Sequence, residues 1–409
     1  MYDVYEIRKD FPMLNGKKMQ GHDLVFLDNA STTFKPIQVI KTIEKYYTDM
    51  TSNSHRGDYD LCYFMDKEVE KTRDTVAQFL NCDSNEVVFT SGTSMSINLI
   101  AWGFGHKFLK QGDEIIISEA EHASNVLPWF KLAELNGVII KYVPLDEKGR
   151  ITVENFKKTI TNKTKLVSLA HVGNVLGYIL PAKEMIKIAH EYGALFALDG
   201  AQSVPHMKID FKDLDADFIS FSGHKMLGPT GIGCLIGKYP LLKDMDPLLT
   251  GGGMNAKFKS CGLIEYLNPP SKFEAGTENL AGIMGLRTAI EYLNNLGMEN
   301  IEKHEREIRN YAISKLEKID KCIIYNKEAD TGIITFNVKD VFAQDEATYL
   351  NFNGIAVRSG EHCAKILNDF LNTPATCRLS TYLYTTKEEI DTFINAIEKG
   401  GDFLDAYFN

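Results

Sequence analysis

The chain has 409 residues, 44% of them hydrophobic and 24% charged, which is globular usage over a length sufficient for two or three domains and argues against a disordered or collagen-like chain. Its 45 basic and 55 acidic residues leave a formal net charge of −10, so nucleic acid is not expected as a partner. Seven cysteines, none in a C-x-x-C pair, argue against a zinc site and a disulfide framework, and fit a reducing compartment. The opening MYDVYEIRKDFPML is charged throughout and lacks the apolar stretch of a secretory signal. No apolar run approaches the ~18 residues of a membrane helix. A cytoplasmic protein with no membrane association is expected.

Short apolar runs predict strands at Val25–Leu27, Val87–Thr90, Glu114–Ile117, Val138–Val143, Lys165–Ala170, Leu195–Asp199 and Phe218–Phe221. Helical spacing falls between several of them, at Ile37–Met50, Asn125–Asn136, Val153–Ile160 and Lys183–Tyr192. This alternation predicts an α/β protein with a mostly parallel central sheet and helices on both faces. Beyond about residue 278 two long helical patterns follow, Asn279–Leu296 and Asn300–Ile319. Strands at Cys322–Tyr325 and Gly332–Val338, a helix at Asp345–Phe352, a strand at Ile355–Val357 and a last helix from Thr386 complete the chain. Thr386-Lys387-Glu388-Glu389 has the form of a capping box. The expected division is a large domain over 23–296 and a smaller α+β domain built from 1–22 and 297–409.

Six places carry chemistry. Val87-Val88-Phe89-Thr90 runs into Ser91-Gly92-Thr93-Ser94 and a helix, so N–H groups and the Thr93 and Ser94 hydroxyls can cradle an anion. No G-x-G-x-x-G fingerprint or Walker loop is present. His122, after the strand Glu114–Ile117, is placed to stack on a planar group or move a proton. Asp199 ends an apolar strand, where ligands of open α/β sheets bind. A carboxylate there can pair with a protonated pyridine nitrogen. Lys225 follows Ser222-Gly223-His224 at the end of the next strand, and desolvation there frees its amine for a Schiff base. Cys363 lies in the polar loop Arg358-Ser359-Gly360-Glu361-His362, beside residues that favour a thiolate. Arg378 offers a fork suited to a substrate carboxylate. Taken singly, each residue also fits a bland role, such as a helix cap, a surface lysine, a core cysteine or a surface ion pair.

Together these motifs resemble the fold-type I, class V pyridoxal-phosphate enzymes, and among them the group II, SUF-type cysteine desulfurases and their sibling, selenocysteine lyase. The resemblance runs from Phe26-Leu27-Asp28-Asn29-Ala30 through His55-Arg56-Gly57, His171-Val172-Gly173-Asn174, Gly251-Gly252-Gly253-Met254 and Phe273-Glu274-Ala275-Gly276-Thr277 to Arg378. It implies pyridoxal 5'-phosphate as cofactor, with no metal. Lys225 would hold the cofactor covalently, Asp199 its ring nitrogen, Gln202 its phenolic oxygen and His122 its ring face. Thr93, Ser94, Ser222 and His224 would bind phosphate, with Thr277 reaching in from the second subunit of a homodimer. Asn174 and Arg378 would grip the substrate carboxylate, with Arg358 among the substrate-binding residues. Cys363 would take sulfur from L-cysteine, leaving L-alanine, and pass it to a SUF-type acceptor for iron–sulfur assembly. The implied alternatives are cleavage of L-selenocysteine, class V transamination and an inactive scaffold. Departures from the family pattern are Ser91, Ser94 and Met95 in the anion loop, Glu361 and Lys365-Ile366 around the thiol, and Thr385.

Overall fold

The computed structural model describes residues 2–54 and 57–400, and of residues 255 and 256 the backbone alone. His55 and Arg56 of the family-like motif therefore lie outside the described residues. Seven strands form the central sheet: β1 Val87–Thr90, β2 Glu114–Ser118, β3 Ile139–Val143, β4 Thr164–Ala170, β5 Leu195–Asp199, β6 Phe218–Ser222 and β7 Gly233–Gly237. Their order is β1-β7-β6-β5-β4-β2-β3. Only β7 runs antiparallel to its neighbours; the other pairs are parallel.

Successive side chains of a strand point to opposite faces, and both faces here are apolar. Phe196, Leu198, Ile219 and Phe221 enter one core, with Val39, Met65, Val69 and Ile290 from the helices Ile37–Asp49, Asp60–Leu80 and Leu280–Leu296. Ala197 and Phe218 enter the opposite core, with Ile97 and Trp129 from the helices Thr93–Ile100 and Leu127–Asn136. The expected mostly parallel sheet with helices on both faces is the observed architecture.

Strand β7 has no counterpart in the predicted elements, because its glycines look like loop residues. Gly233 is needed for close approach instead. A Cβ there would lie 2.3 Å from the Phe221 carbonyl oxygen and 2.6 Å from Gly92 Cα. The missing side chain lets the anion loop, β6 and β7 meet.

The C-terminal part builds a second sheet from β8 Cys322–Ile324, β9 Ile333–Val338, β10 Arg358–Gly360 and β11 Thr376–Ser380, in the order β8-β9-β11-β10 and antiparallel throughout. Ile334, Phe336, Cys377 and Leu379 pack there against Ile308 of the helix Met298–Leu316 and Phe393 of the helix Lys387–Lys399. Val25 and Leu27 join the same core, and Val25–Phe26 pairs in parallel with Ile355–Ala356. The last helix begins as its sequence predicts: Thr386 Oγ1 accepts from the Glu389 N–H at 3.3 Å, and Glu389 Oε2 accepts from the Thr386 N–H at 2.9 Å. No described helix is long and apolar enough to cross a membrane.

Gly233→Ala should lower the melting temperature by several degrees or abolish soluble expression, since backbone atoms cannot move aside. Gly173→Ala, whose Cβ would find its nearest neighbour at 3.8 Å, should melt close to wild type. Equal thermal scans for the two variants would contradict this account of β7.

Candidate active site

A cavity of about 220 Å3 opens beyond the carboxyl ends of β1, β4, β5 and β6. The second sheet covers its other side with β10, β11 and the loop between β10 and the helix Lys365–Leu371. Thr93, Ser94, His122, Asn174, Asp199, Gln202, Ser222, His224, Lys225, Arg358, Cys363 and Arg378 all line it. Thr277 does not: it is exposed in the loop before the helix Leu280–Leu296.

The floor is set by strand pairing. Asp199 ends β5 opposite Ser220 of β6, and five residues on, at the end of the tight turn Gly223–Lys225, comes Lys225. Asp199 Oδ1 accepts from the Ala201 N–H at 2.9 Å. Burial raises the Asp199 carboxyl above its usual range, and nearby Lys225 opposes that shift. Burial pushes the Lys225 ammonium down to about 8, against the pull of Asp199. The lysine is thus a partly deprotonated amine near neutral pH.

His122 lines the same cavity. Burial, with Lys225 and two arginines, pushes its imidazole down to about 4, so it is neutral. Its Nδ1 accepts from the Ser124 N–H at 3.1 Å, which leaves the proton on Nε2. Glu121 beneath it is buried and its carboxyl is raised to about 8 by burial, although it accepts from Ser118, Asn125 and the Ala170 N–H.

The anion end is a ring of hydroxyls. Ser222 Oγ accepts from the Thr93 N–H at 2.9 Å and lies 2.8 Å from Thr93 Oγ1, and the Ser94 and Ser124 hydroxyls are 2.6 Å apart. Gly92 enters the helix with φ +145°, and a Cβ there would sit 3.0 Å from Ser222 Oγ. Burial, with Lys225 and Lys35, holds the His224 imidazole down to about 4.

Two guanidinium groups face this floor from the second sheet. Arg358 and Arg378 are directly opposite one another on β10 and β11. Arg378 donates to the Asn174 carbonyl at 2.8 Å, to Ser31 Oγ at 2.8 Å and to Asp28 Oδ1 at 3.2 Å, while its buried Nε has no partner among the described residues. Arg358 donates to the same Ser31 hydroxyl at 3.0 Å.

Cys363 is exposed at the cavity mouth. It and His362 are consecutive left-handed residues, φ +56° and +50°. Such a pair persists only where its surroundings impose it. Asn174 Nδ2 donates to the His362 carbonyl at 2.9 Å, and the Ala123 N–H donates to the Cys363 carbonyl at 2.7 Å. His362 Nε2 donates to the Thr376 carbonyl at 3.0 Å. Glu361, one of the departures noted above, lies 4.0 Å from Lys365 Nζ and faces solvent.

Residues 25–393 match the family model described as aminotransferase class-V. The chain belongs to that family. A probable cysteine desulfurase of Halalkalibacterium halodurans is 44% identical over 409 residues, spanning 99% of this chain and 100% of that protein. A probable cysteine desulfurase of Staphylococcus aureus is 43% identical over 410 residues, spanning 100% and 99%. Among solved structures, the Escherichia coli cysteine desulfurase CsdA in its S-sulfonic acid form superposes with TM-score 0.91 at 34% identity, covering 99% of both chains. The apo cysteine desulfurase of Thermococcus onnurineus NA1 superposes with TM-score 0.92 at 35% identity, covering 98% of both.

Four residues of this class V site were not singled out by the sequence reasoning: Asp28 and Ser31, which hold Arg378; Glu121, under His122; and His362, which anchors the thiol loop. Asp28 and His362 stand inside motifs read for their neighbours, and Glu121 directly precedes His122. Ser31 carries no local signal, because its role depends on two arginines more than 320 residues away.

The Lys225 amine should react with a small aldehyde and cyanoborohydride at a rate that rises with pH and levels off above about 8. An ordinary lysine continues to gain reactivity up to about pH 10.4. Mass-spectrometric rates on the apo-protein test this, and a Lys225 profile still climbing at pH 10 would contradict the desolvated floor.

Proposed function

We propose that this protein is a pyridoxal-phosphate-dependent cysteine desulfurase that converts L-cysteine to L-alanine and keeps the sulfur as a persulfide on Cys363. The observation that carries the reading is the convergence of a half-desolvated lysine, two arginines and an exposed cysteine on one cavity. The cavity residues fit the cofactor. Gly92 leaves space beside Ser222 and Thr93 for a phosphate, and Gln202 Nε2 spends one of its two hydrogens on the Ala30 carbonyl at 2.7 Å, leaving the other for a phenolic oxygen. Bound there, pyridoxal phosphate supplies an electron sink that acidifies the α-carbon of an amino acid.

The chain's own residues do the rest. Arg378 and Arg358, with Asn174, orient the substrate carboxylate. Lys225 Nζ takes the α-proton, which its lowered basicity makes feasible at neutral pH. Asp199 would keep the ring nitrogen protonated by charge pairing, and His122, neutral, would pack against the ring. The Cys363 thiolate attacks the substrate sulfur: an S–S bond forms as the carbon–sulfur bond breaks, one proton is delivered to the β-carbon, and return of the α-proton held by Lys225 completes alanine. The sulfur balance is one L-cysteine consumed, one persulfide and one L-alanine formed.

The reading extends to a homodimer in which Thr277, exposed in its own chain, completes the partner's phosphate site. It also extends to a cytoplasmic SUF-type acceptor that carries the sulfur to iron–sulfur assembly. Residues 23–296 would then hold the cofactor, while 1–22 and 297–409 would carry the thiol loop. Support for the dimer lies in the position of Thr277 outside the cavity; sedimentation at micromolar concentration should give the dimer mass, and a fully active monomer would contradict it.

Cys363→Ala should separate two chemistries. L-cysteine desulfuration should fall by orders of magnitude, since thiolate leaves poorly without a nucleophile to take the sulfur. L-selenocysteine cleavage should survive far better, because selenolate leaves readily. Alanine release from both substrates and peptide mapping of the persulfide decide the matter; wild-type desulfuration in the variant, or a persulfide on another cysteine, would overturn the assignment.

A further inference from the structure

The turn that ends in Lys225 is tied to residues 32–35 at both of its flanks. The His224 carbonyl belongs to the peptide unit that leads into Lys225. Four donors surround it: Lys35 Nζ at 2.8 Å, the Thr33 N–H and Thr32 Oγ1 at 3.1 Å, and Thr33 Oγ1 at 3.2 Å. A carbonyl oxygen has two lone pairs, and the shortest of these contacts is the one from Lys35. On the far side of Lys225, the Leu227 N–H donates to Thr33 Oγ1 at 3.0 Å, and Leu227 is left-handed at φ +66°.

Lys35 is an unusual residue for such a place. Its Nζ also donates to the Thr33 carbonyl at 2.6 Å, and among the described residues it has no carboxylate partner. Burial pushes its ammonium down to about 7. A desolvated cation without a counter-charge is unfavourable, so stability alone gives no reason for a lysine there. Its two acceptors match the two hydrogens of a neutral amine, so the contacts persist in either protonation state. Lys35 is absent from the cavity lining and touches backbone alone among the hydrogen-bond partners described.

We propose that Lys35 is a positioning residue for Lys225: by holding the His224 carbonyl it fixes the peptide unit from which Lys225 projects, and so aims the amine into the cavity. The inference rests on Lys225 carrying the chemistry, as proposed above.

Lys35→Met should lower kcat on L-cysteine at least tenfold while KM stays within threefold of wild type. In the apo-protein at pH 7.5, reductive labelling of Lys225 should slow at least threefold relative to the exposed Lys131. Lys35→Arg, which keeps the donors, should restore that labelling to within a factor of two. If Lys35→Met is insoluble, Lys35→Leu, which likewise has no donor, is measured in its place. Wild-type labelling of Lys225 in the Met or Leu variant, or equal slowing in Lys35→Arg, overturns the proposal. Lys225→Ala distinguishes the two levels: turnover surviving there removes the underlying reading, whereas a silent Lys35 variant beside a dead Lys225→Ala removes only this inference.

Discussion

Everything in the cavity depends on a lysine and an aspartate that sense each other across a desolvated floor without touching. Among the described residues no ion pair of 4.0 Å or less joins Asp199 to Lys225, yet each shifts the other's protonation. Direct contact would quench both charges and fill the space between them. The separation is set by the parallel pairing of β5 with β6 and by the tight turn after Ser222. A one-residue slip of β6 would send Ile219 and Phe221 to the wrong core as well as misplace the lysine. Packing of the sheet and placement of the amine are therefore one constraint.

The second sheet supplies what the first cannot. The ends of β1, β4, β5 and β6 present an aspartate, a lysine and hydroxyls. Arg358 and Arg378, the proposed carboxylate anchors, come from β10 and β11. The chain segment 28–31 links the two halves, since Asp28 and Ser31 hold Arg378 while the Ala30 carbonyl takes Gln202. That segment follows a strand of only two residues, Val25–Phe26, which pairs with the C-terminal half.

Much of this was legible in the sequence. Strands β1 and β5 match their predicted spans at both ends, and the other four predicted strands of the central sheet differ from theirs by one residue at one end. Apart from the half-exposed edge strand β3, their apolar runs are buried on both faces, which leaves little ambiguity. Strand β7 was missed because glycine at close backbone contacts looks like glycine in a loop. Strand β10 falls within the segment expected as a polar loop and β11 has no counterpart among the predicted strands, because arginines and serines interrupt their apolar pattern. The lining residues were found through motifs, whereas Ser31 and His362 act through partners that only the fold brings near. Thr277 lies apart from the cavity of its own chain, where sequence motifs cannot say which subunit a residue serves.

The loop that presents Cys363 runs only from Gly360 to Lys365, and hydrogen bonds from Ala123 and Asn174 fasten it at two successive carbonyls. At about 3.8 Å between consecutive Cα atoms, so short a span has no slack for a swing. The thiol is a fixed port and not a travelling arm. Under the proposed reading, any molecule that unloads sulfur from Cys363 must bring its own nucleophile to the mouth of the cavity, so the shape of that docking partner, more than the motion of this chain, sets who can collect.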